Sequence, residues 1–210
     1  MEYGKFISIE GGDGAGKSTQ LQVIADVLSE QGIDSVMTRE PGGTPIGEAL
    51  RALLLNKGEL NIGDETELLM MYAARAEHVN TVILPALEQG KWVVSDRFED
   101  ASFAYQGAKG VAVERIDGLS KWLLAGFKPD LSLLFDLPVE MGLQRSHARG
   151  ELDRFEQQSL DYKLKVQAIY RLRAENDPTR MRLIDSAQNI DSVSEQVRTE
   201  VRAFVQVSQA

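Results

Sequence analysis

The chain has 210 residues, no cysteine, a formal net charge of −9 and a hydrophobic share of 43%. These values exclude a disulfide scaffold, thiolate chemistry and nucleic-acid binding by bulk electrostatics. No apolar stretch approaches the roughly 20 residues of a membrane helix. The opening Met1-Glu2-Tyr3-Gly4-Lys5 lacks the layout of a secretory signal. The expectation is therefore a cytoplasmic protein, a single domain over 1–210, with no membrane and no nucleic acid among its partners.

In chain order, β-type runs stand at 6–9, 35–38, 92–95, 131–135 and 181–184. Helical periodicity covers 17–31, 46–55, 64–88, 114–124, 139–148, 159–176 and 190–207. Strands alternating with helices predict an α/β fold, a five-stranded parallel sheet with helices on both faces in three layers. Pro85 falls inside the third helical run and should kink or end it. Ligands of such sheets bind beyond the carboxyl ends of the strands, and each motif below sits at one.

The first motif is Gly11-Gly12-Asp13-Gly14-Ala15-Gly16-Lys17-Ser18, a complete G-x-x-x-x-G-K-[ST] loop between an apolar run and a helix. Its glycines let successive N–H groups turn inward around a phosphate, and the helix N-terminus adds its positive end. Lys17 adds a mobile charge for the β/γ-phosphates, and Ser18 a hydroxyl for Mg²⁺. Next comes Thr38-Arg39-Glu40-Pro41-Gly42-Gly43-Thr44, where Arg39 either aims at an anion in the crevice or belongs to a surface turn. On the third helix Met71 and Arg75 share a face at i, i+4, which suits a planar base with a polar edge or an ordinary core. Asp96-Arg97 ends the third strand, as a Mg²⁺-orienting carboxylate beside a cation or as a structural ion pair. Arg145, Arg149 and Arg154 flank Gly150, either on an arginine-bearing lid of about 149–156 or on solubilising surface. The histidines, His78 and His147, have no partners at metal-ligand spacing.

Together these residues resemble bacterial thymidylate kinase over essentially all 210 positions. The likeness is carried by the phosphate loop, the Arg39-Glu40-Pro41-Gly42-Gly43-Thr44 turn and Ala73-Ala74-Arg75. Asp96-Arg97, Ala104-Tyr105-Gln106-Gly107 and Arg149-Gly150-Glu151-Leu152-Asp153-Arg154-Phe155-Glu156 complete it. It implies a P-loop kinase fold and a homodimer that moves the γ-phosphoryl of ATP, with Mg²⁺, onto dTMP. It implies catalytic roles for Lys17, Arg149, Arg97, Asp96 and Asp13. ATP would be held by Gly11, Gly12, Asp13, Gly14, Ala15, Gly16, Lys17, Ser18, Thr19, Arg145, Arg154 and Gln188. The dTMP pocket would comprise Asp13, Arg39, Pro41, Leu54, Met71, Arg75, Arg97, Ser102, Tyr105 and Gln106, with Ser18 and Asp96 toward the metal. Met71 stands where many members have an aromatic ring, and Lys109 where arginine is usual. The alternatives are a kinase for another nucleoside or nucleotide, or a phosphate-loop switch or ATPase.

Overall fold

The computed structural model describes residues 3–57, 60–150 and 152–209. Five strands pair in parallel in the order β2-β3-β1-β4-β5: β1 (Phe6–Gly11), β2 (Ser35–Arg39), β3 (Trp92–Asp96), β4 (Leu131–Asp136) and β5 (Met181–Asp185). The chain leaves β1 toward β2 but leaves β4 toward β5, so a crevice opens at their carboxyl ends. The register aligns Ile9 and Arg39 with Asp96, and Gly11 with Phe135. Three chain segments therefore deliver their motifs to one edge.

β1 is buried at all six positions, as a central strand covered on both faces must be. One face carries α1 (Lys17–Glu30) and α9 (Ile190–Ser208). In α9 the buried valines 193, 197, 201 and 205 recur at i+4 and form a single stripe. Burying each contributes about 1.5 kcal/mol or more. The other face carries α5 (Glu99–Ala108) and α8 (Leu160–Asn176), which pack Ala104, Tyr162, Val166 and Tyr170 under β4. α2 (Pro45–Leu55), α3 (Asp64–His78), α6 (Val113–Leu124) and α7 (Val139–Arg149) complete the layers. Thr44, Ser159 and Asn189 cap α2, α8 and α9 by accepting from Gly47, Tyr162 and Ser192 N–H.

The interruption expected at Pro85 is present, and one helix was not expected. The third helical run is broken into α3, a π-helical turn Val79–Ile83 and α4 (Leu84–Glu88). Pro85 has no N–H to give the turn before it, so the ladder loosens upstream of the ring and α4 starts there. The helix α5 has no counterpart in the periodicity. Its buried positions include Asp100, Ser102 and Gln106, so its inward face is partly polar. Among the described residues no helix is long and apolar enough to cross a membrane.

Candidate active site

The loop after β1 turns through Gly14 (φ 72°) and Gly16 (φ 83°), both left-handed. A Cβ on Gly14 would lie 2.2 Å from the Gly142 carbonyl oxygen, and one on Gly142 would lie 2.5 Å from that of Asp13. Loop and α7 thus meet backbone to backbone, an approach only glycine allows. α1 begins at Lys17, so its unpaired N–H groups and positive dipole end face the loop. The Lys17 Nζ donates to the Gly11 and Gly12 carbonyls, both at 3.1 Å. Burial, with Arg97 close by, draws the Lys17 ammonium down to about 8, against the pull of Asp96, Asp13 and Glu10.

At the end of β3, Arg97 adopts φ 73°, a costly conformation for a side-chain-bearing residue. That turn sends its guanidinium across the crevice. Nη1 donates to the Gly11 carbonyl at 2.8 Å and Nη2 to the Tyr105 hydroxyl at 2.9 Å. The Tyr105 hydroxyl donates in turn to Asp13 Oδ1 at 3.2 Å, and Lys163 from α8 binds Asp13 Oδ2 at 3.0 Å. Burial alone would raise the Asp13 carboxyl, but Arg97 and Lys163 outweigh it and hold the group below its ordinary range. Asp13 is therefore a fixed anion. Behind it the buried Glu10 accepts from the Phe98 N–H and the Tyr170 hydroxyl. Burial and then Asp100 push the Glu10 carboxyl up to about 7, against Arg97 and those two bonds.

One recess beside this cluster is lined by Gly11, Gly12, Asp13, Tyr105, Lys163 and Tyr170. Two more cavities flank it. The first, about 550 Å³, has Pro41, Leu55, Met71, Ser102 and Gln106 in its walls and Arg75 at its base. Arg75 is 2% exposed. It donates to Glu40 Oε2 (2.7 Å), Ser102 Oγ (3.0 Å) and the Phe98 carbonyl (3.0 Å). A guanidinium carries five N–H bonds, so donors remain for a ligand. Gln106 Oε1 is buried there and has no hydrogen-bond partner among the described residues. The second cavity runs along Gly14–Thr19 to Ser18, Asp96 and Arg145, and a further recess beside Arg145 holds Gln188 and Asn189. Both cavities are lined by Asp13, Arg51, Arg97 and Asp153. A cradle for phosphates and a half-apolar pocket thus share one charged wall, the geometry for moving a phosphoryl group from one ligand to another.

A family model described as thymidylate kinase matches residues 9–197. The thymidylate kinase of Alkalilimnicola ehrlichii is 51% identical over 195 residues, 92% of this chain and 90% of that one. That of Ruthia magnifica is 46% identical, over 94% of this chain and 97% of that protein. The chain belongs to the thymidylate kinase family. Its members phosphorylate dTMP to dTDP. The crystal structure of the thymidylate kinase from Ehrlichia chaffeensis superposes with a TM-score of 0.75 at 31% identity, over 97% of this chain and 99% of that one. The P-loop kinase architecture expected from the sequence is therefore the fold of a solved thymidylate kinase.

Most residues expected to bind nucleotide converge here. Asp13, Gly14, Ala15, Gly16, Lys17, Ser18, Thr19, Arg145 and Asp96 line the second cavity, expected to take the donor, with Gln188 in the recess beside Arg145. Pro41, Met71, Arg75, Ser102, Tyr105 and Gln106 line the first cavity, expected to take the acceptor, and Arg97 lines both.

Five residues go elsewhere: Gly11 and Gly12 line the recess with Lys163 and Tyr170 instead. Arg39 turns outward and binds both carboxylate oxygens of Glu48 at 3.0 and 2.9 Å, because α2 presents that anion beside the Gly42-Gly43 turn. Leu54 is fully buried under α2, and its neighbour Leu55 faces the cavity. Arg154 does not reach the phosphate loop. It donates to the Leu54 carbonyl (2.8 Å) and pairs with the buried Glu67, a stronger attraction than open solvent. The side chains of Arg149 and Glu151 lie outside what the structure describes. The segment after Gly150 is pinned by Phe155, 7% exposed and edge-on to Tyr105 at 5.9 Å.

Sequence reasoning missed Arg51, Glu40, Leu55 and Asp153. Arg51 was detectable in principle, as a lone cation in the run Ala49-Leu50-Arg51-Ala52-Leu53-Leu54-Leu55, at i, i+4 from both Gly47 and Leu55. Its Nη1 donates to the Pro41 carbonyl at 2.9 Å, which draws it to the cavity. His78 is no metal ligand but a strut between Thr38 Oγ1 (2.6 Å) and Glu40 Oε1 (3.0 Å).

Proposed function

We propose that the chain transfers the γ-phosphoryl of ATP to dTMP across the wall formed by Asp13, Arg51, Arg97 and Asp153, giving dTDP and ADP. The observation that carries this is that wall's place in both cavities at once. The phosphate loop amides and Lys17 hold the β- and γ-phosphates, and Arg145 and Gln188 lie toward the adenosine. Arg51 and Arg97 hold the dTMP phosphate, and Asp13 accepts from the sugar 3′-hydroxyl. Thymine lies against Met71, its O4 toward Arg75 and its N3–H toward the open Gln106 carbonyl. Lys17, Arg51 and Arg97 offset charge on the phosphoryl oxygens, with Arg149, the last residue of α7, as a further donor.

The residues fit Mg²⁺. Asp96 Oδ1 is buried without a hydrogen-bond partner among the described residues, and Ser18 stands exposed in the same cleft. A small hard cation takes such oxygens together with phosphate and water, and when bound it neutralises charge on the β- and γ-phosphates. A homodimer is supported by Ile46 and Leu53 on α2 and Leu69 on α3, 54, 45 and 56% exposed, which a second copy would cover. The unit works as one catalytic domain in the cytoplasm, where its nucleotide substrates are. The test is calorimetric titration with adenosine and thymidine joined by five phosphates. One ligand per chain, bound more tightly than ATP or dTMP alone and displaced by both, supports transfer between adjoining sites. Preference for plain ATP or GTP would favour a switch.

A further inference from the structure

We propose that Glu67 is a positioning residue for base selection: it fixes the side-chain amide of Gln106 with the carbonyl toward the acceptor cavity. The inference rests on the reading that a pyrimidine base occupies that cavity. Glu67 lies on α3 and is 0% exposed. Its Oε1 accepts from Gln106 Nε2 at 2.9 Å. Its Oε2 accepts from Lys109 Nζ at 2.7 Å and from Arg154, which comes from the segment after α7. A carboxylate among two cations is an acceptor at both oxygens, so it can meet only the NH₂ end of the amide.

The consequence falls on the far end of that amide. Gln106 is itself 0% exposed, its Oε1 is a buried acceptor with no hydrogen-bond partner among the described residues, and its side chain is among those, with Arg75 and Ser102, that line the cavity. A buried acceptor without a donor is costly until a ligand supplies one. Thymine and uracil present N3–H at their pairing edge; cytosine presents an unprotonated N3. With the carbonyl held inward, Gln106 receives the former and opposes the latter. Rotating the amide would welcome cytosine, but would drive its oxygen against the Glu67 carboxylate. Base choice then depends on a residue that never touches the base. Arg154 pairs with the same carboxylate, so the two side chains share one anchor.

The test is kcat/KM for dTMP and for dCMP with saturating ATP and Mg²⁺, in the wild type, Glu67→Gln, Gln106→Ala, the double variant and Lys109→Met. Thermal melts accompany each. Glu67→Gln lets the neighbouring amide turn, and the dTMP:dCMP ratio should fall at least about tenfold, the discrimination one hydrogen bond to a base edge provides. In the Gln106→Ala background the same change should leave the ratio within about threefold, since residues acting as a unit are non-additive. Lys109→Met removes a cation but keeps the acceptor, and the ratio should hold. A purely structural Glu67 would lower the melting temperature and both rates together and leave the ratio unmoved, which overturns the proposal. An equal fall with and without Gln106 also overturns it. Should Glu67→Gln not fold, Glu67→Asp keeps the charge for Lys109 and Arg154 and withdraws by one methylene, and an unchanged ratio there is equally decisive. A wild type that ignores dTMP overturns the underlying reading and this inference with it. A wild type that prefers dTMP, matched by Glu67→Gln, overturns this inference alone.

Discussion

Replacing Arg51 by methionine should damage the enzyme far more than the same change at Arg39. Arg51 is half-buried, lines both cavities and is steered there by its bond to the Pro41 carbonyl. A guanidinium–phosphate hydrogen bond is worth about 1.5–3 kcal/mol, which converts to roughly a 10- to 150-fold loss. Arg39 is 53% exposed and paired with Glu48 at 2.9 Å. An exposed pair of that kind contributes about 0–1 kcal/mol, so its loss should cost less than about fivefold. Steady-state kinetics with varied dTMP at saturating ATP separate the two, and the Arg51→Met deficit should appear in kcat/KM for dTMP. An Arg39→Met deficit equal to or larger than that of Arg51→Met would refute the assignment of the phosphate clamp.

Lys17→Ala should leave the melting curve nearly intact and lower kcat by on the order of 10²–10³, as for loss of a preorganised donor. Because the Lys17 ammonium is drawn down to about 8, its charge is present below that pH and lost above it; kcat/KM for ATP should decline as pH rises through about 8. Gly14→Ala puts a Cβ 2.2 Å from the Gly142 carbonyl at φ 72°, so urea melts should show a loss of about 2 kcal/mol or more. Gly118→Ala, in α6 with nothing within 4 Å of its new Cβ, should gain about 0.5–1 kcal/mol. Glu10 is raised from 4.5 to about 7 on folding, so the stability it contributes is full below about 4.5 and is lost as pH rises through 7. Glu10→Gln should flatten that part of the stability–pH curve, by up to about 3 kcal/mol between pH 4.5 and 8; an unaltered curve would show that Glu10 does not titrate there.

What the sequence made legible was local. The phosphate loop is contiguous, its glycines are needed by its own backbone, and its flanking strand and helix have clean periods. The central strands read plainly because burial on both faces leaves continuous apolar runs such as 131–135. The helix α5 was not legible, because Asp100, Ser102 and Gln106 face inward toward partners on α3, on α8 and just ahead of β5 that no window along the chain contains. Arginine destinations were least legible of all. Arg39, Arg51 and Arg154 differ little as residues, and what separates them is where Glu48, the Pro41 carbonyl and Glu67 lie in space. The resemblance supplied the reaction, but it could not say which cation each carboxylate would capture.

The most direct measurement is the rate of ADP release with ATP and Mg²⁺ against dTMP, dUMP, dCMP, dGMP and TMP bearing a ribose. dTMP should be the best acceptor. dUMP should trail by about 10–200-fold, since one methyl in an apolar pocket is worth roughly 1–3 kcal/mol. dCMP should trail further, because Arg75 would meet its amino group and the Gln106 carbonyl its unprotonated N3. The larger purine of dGMP should be rejected by the walls of Met71 and Leu55. Equal or faster turnover of dCMP or dGMP would contradict the assignment of the acceptor site.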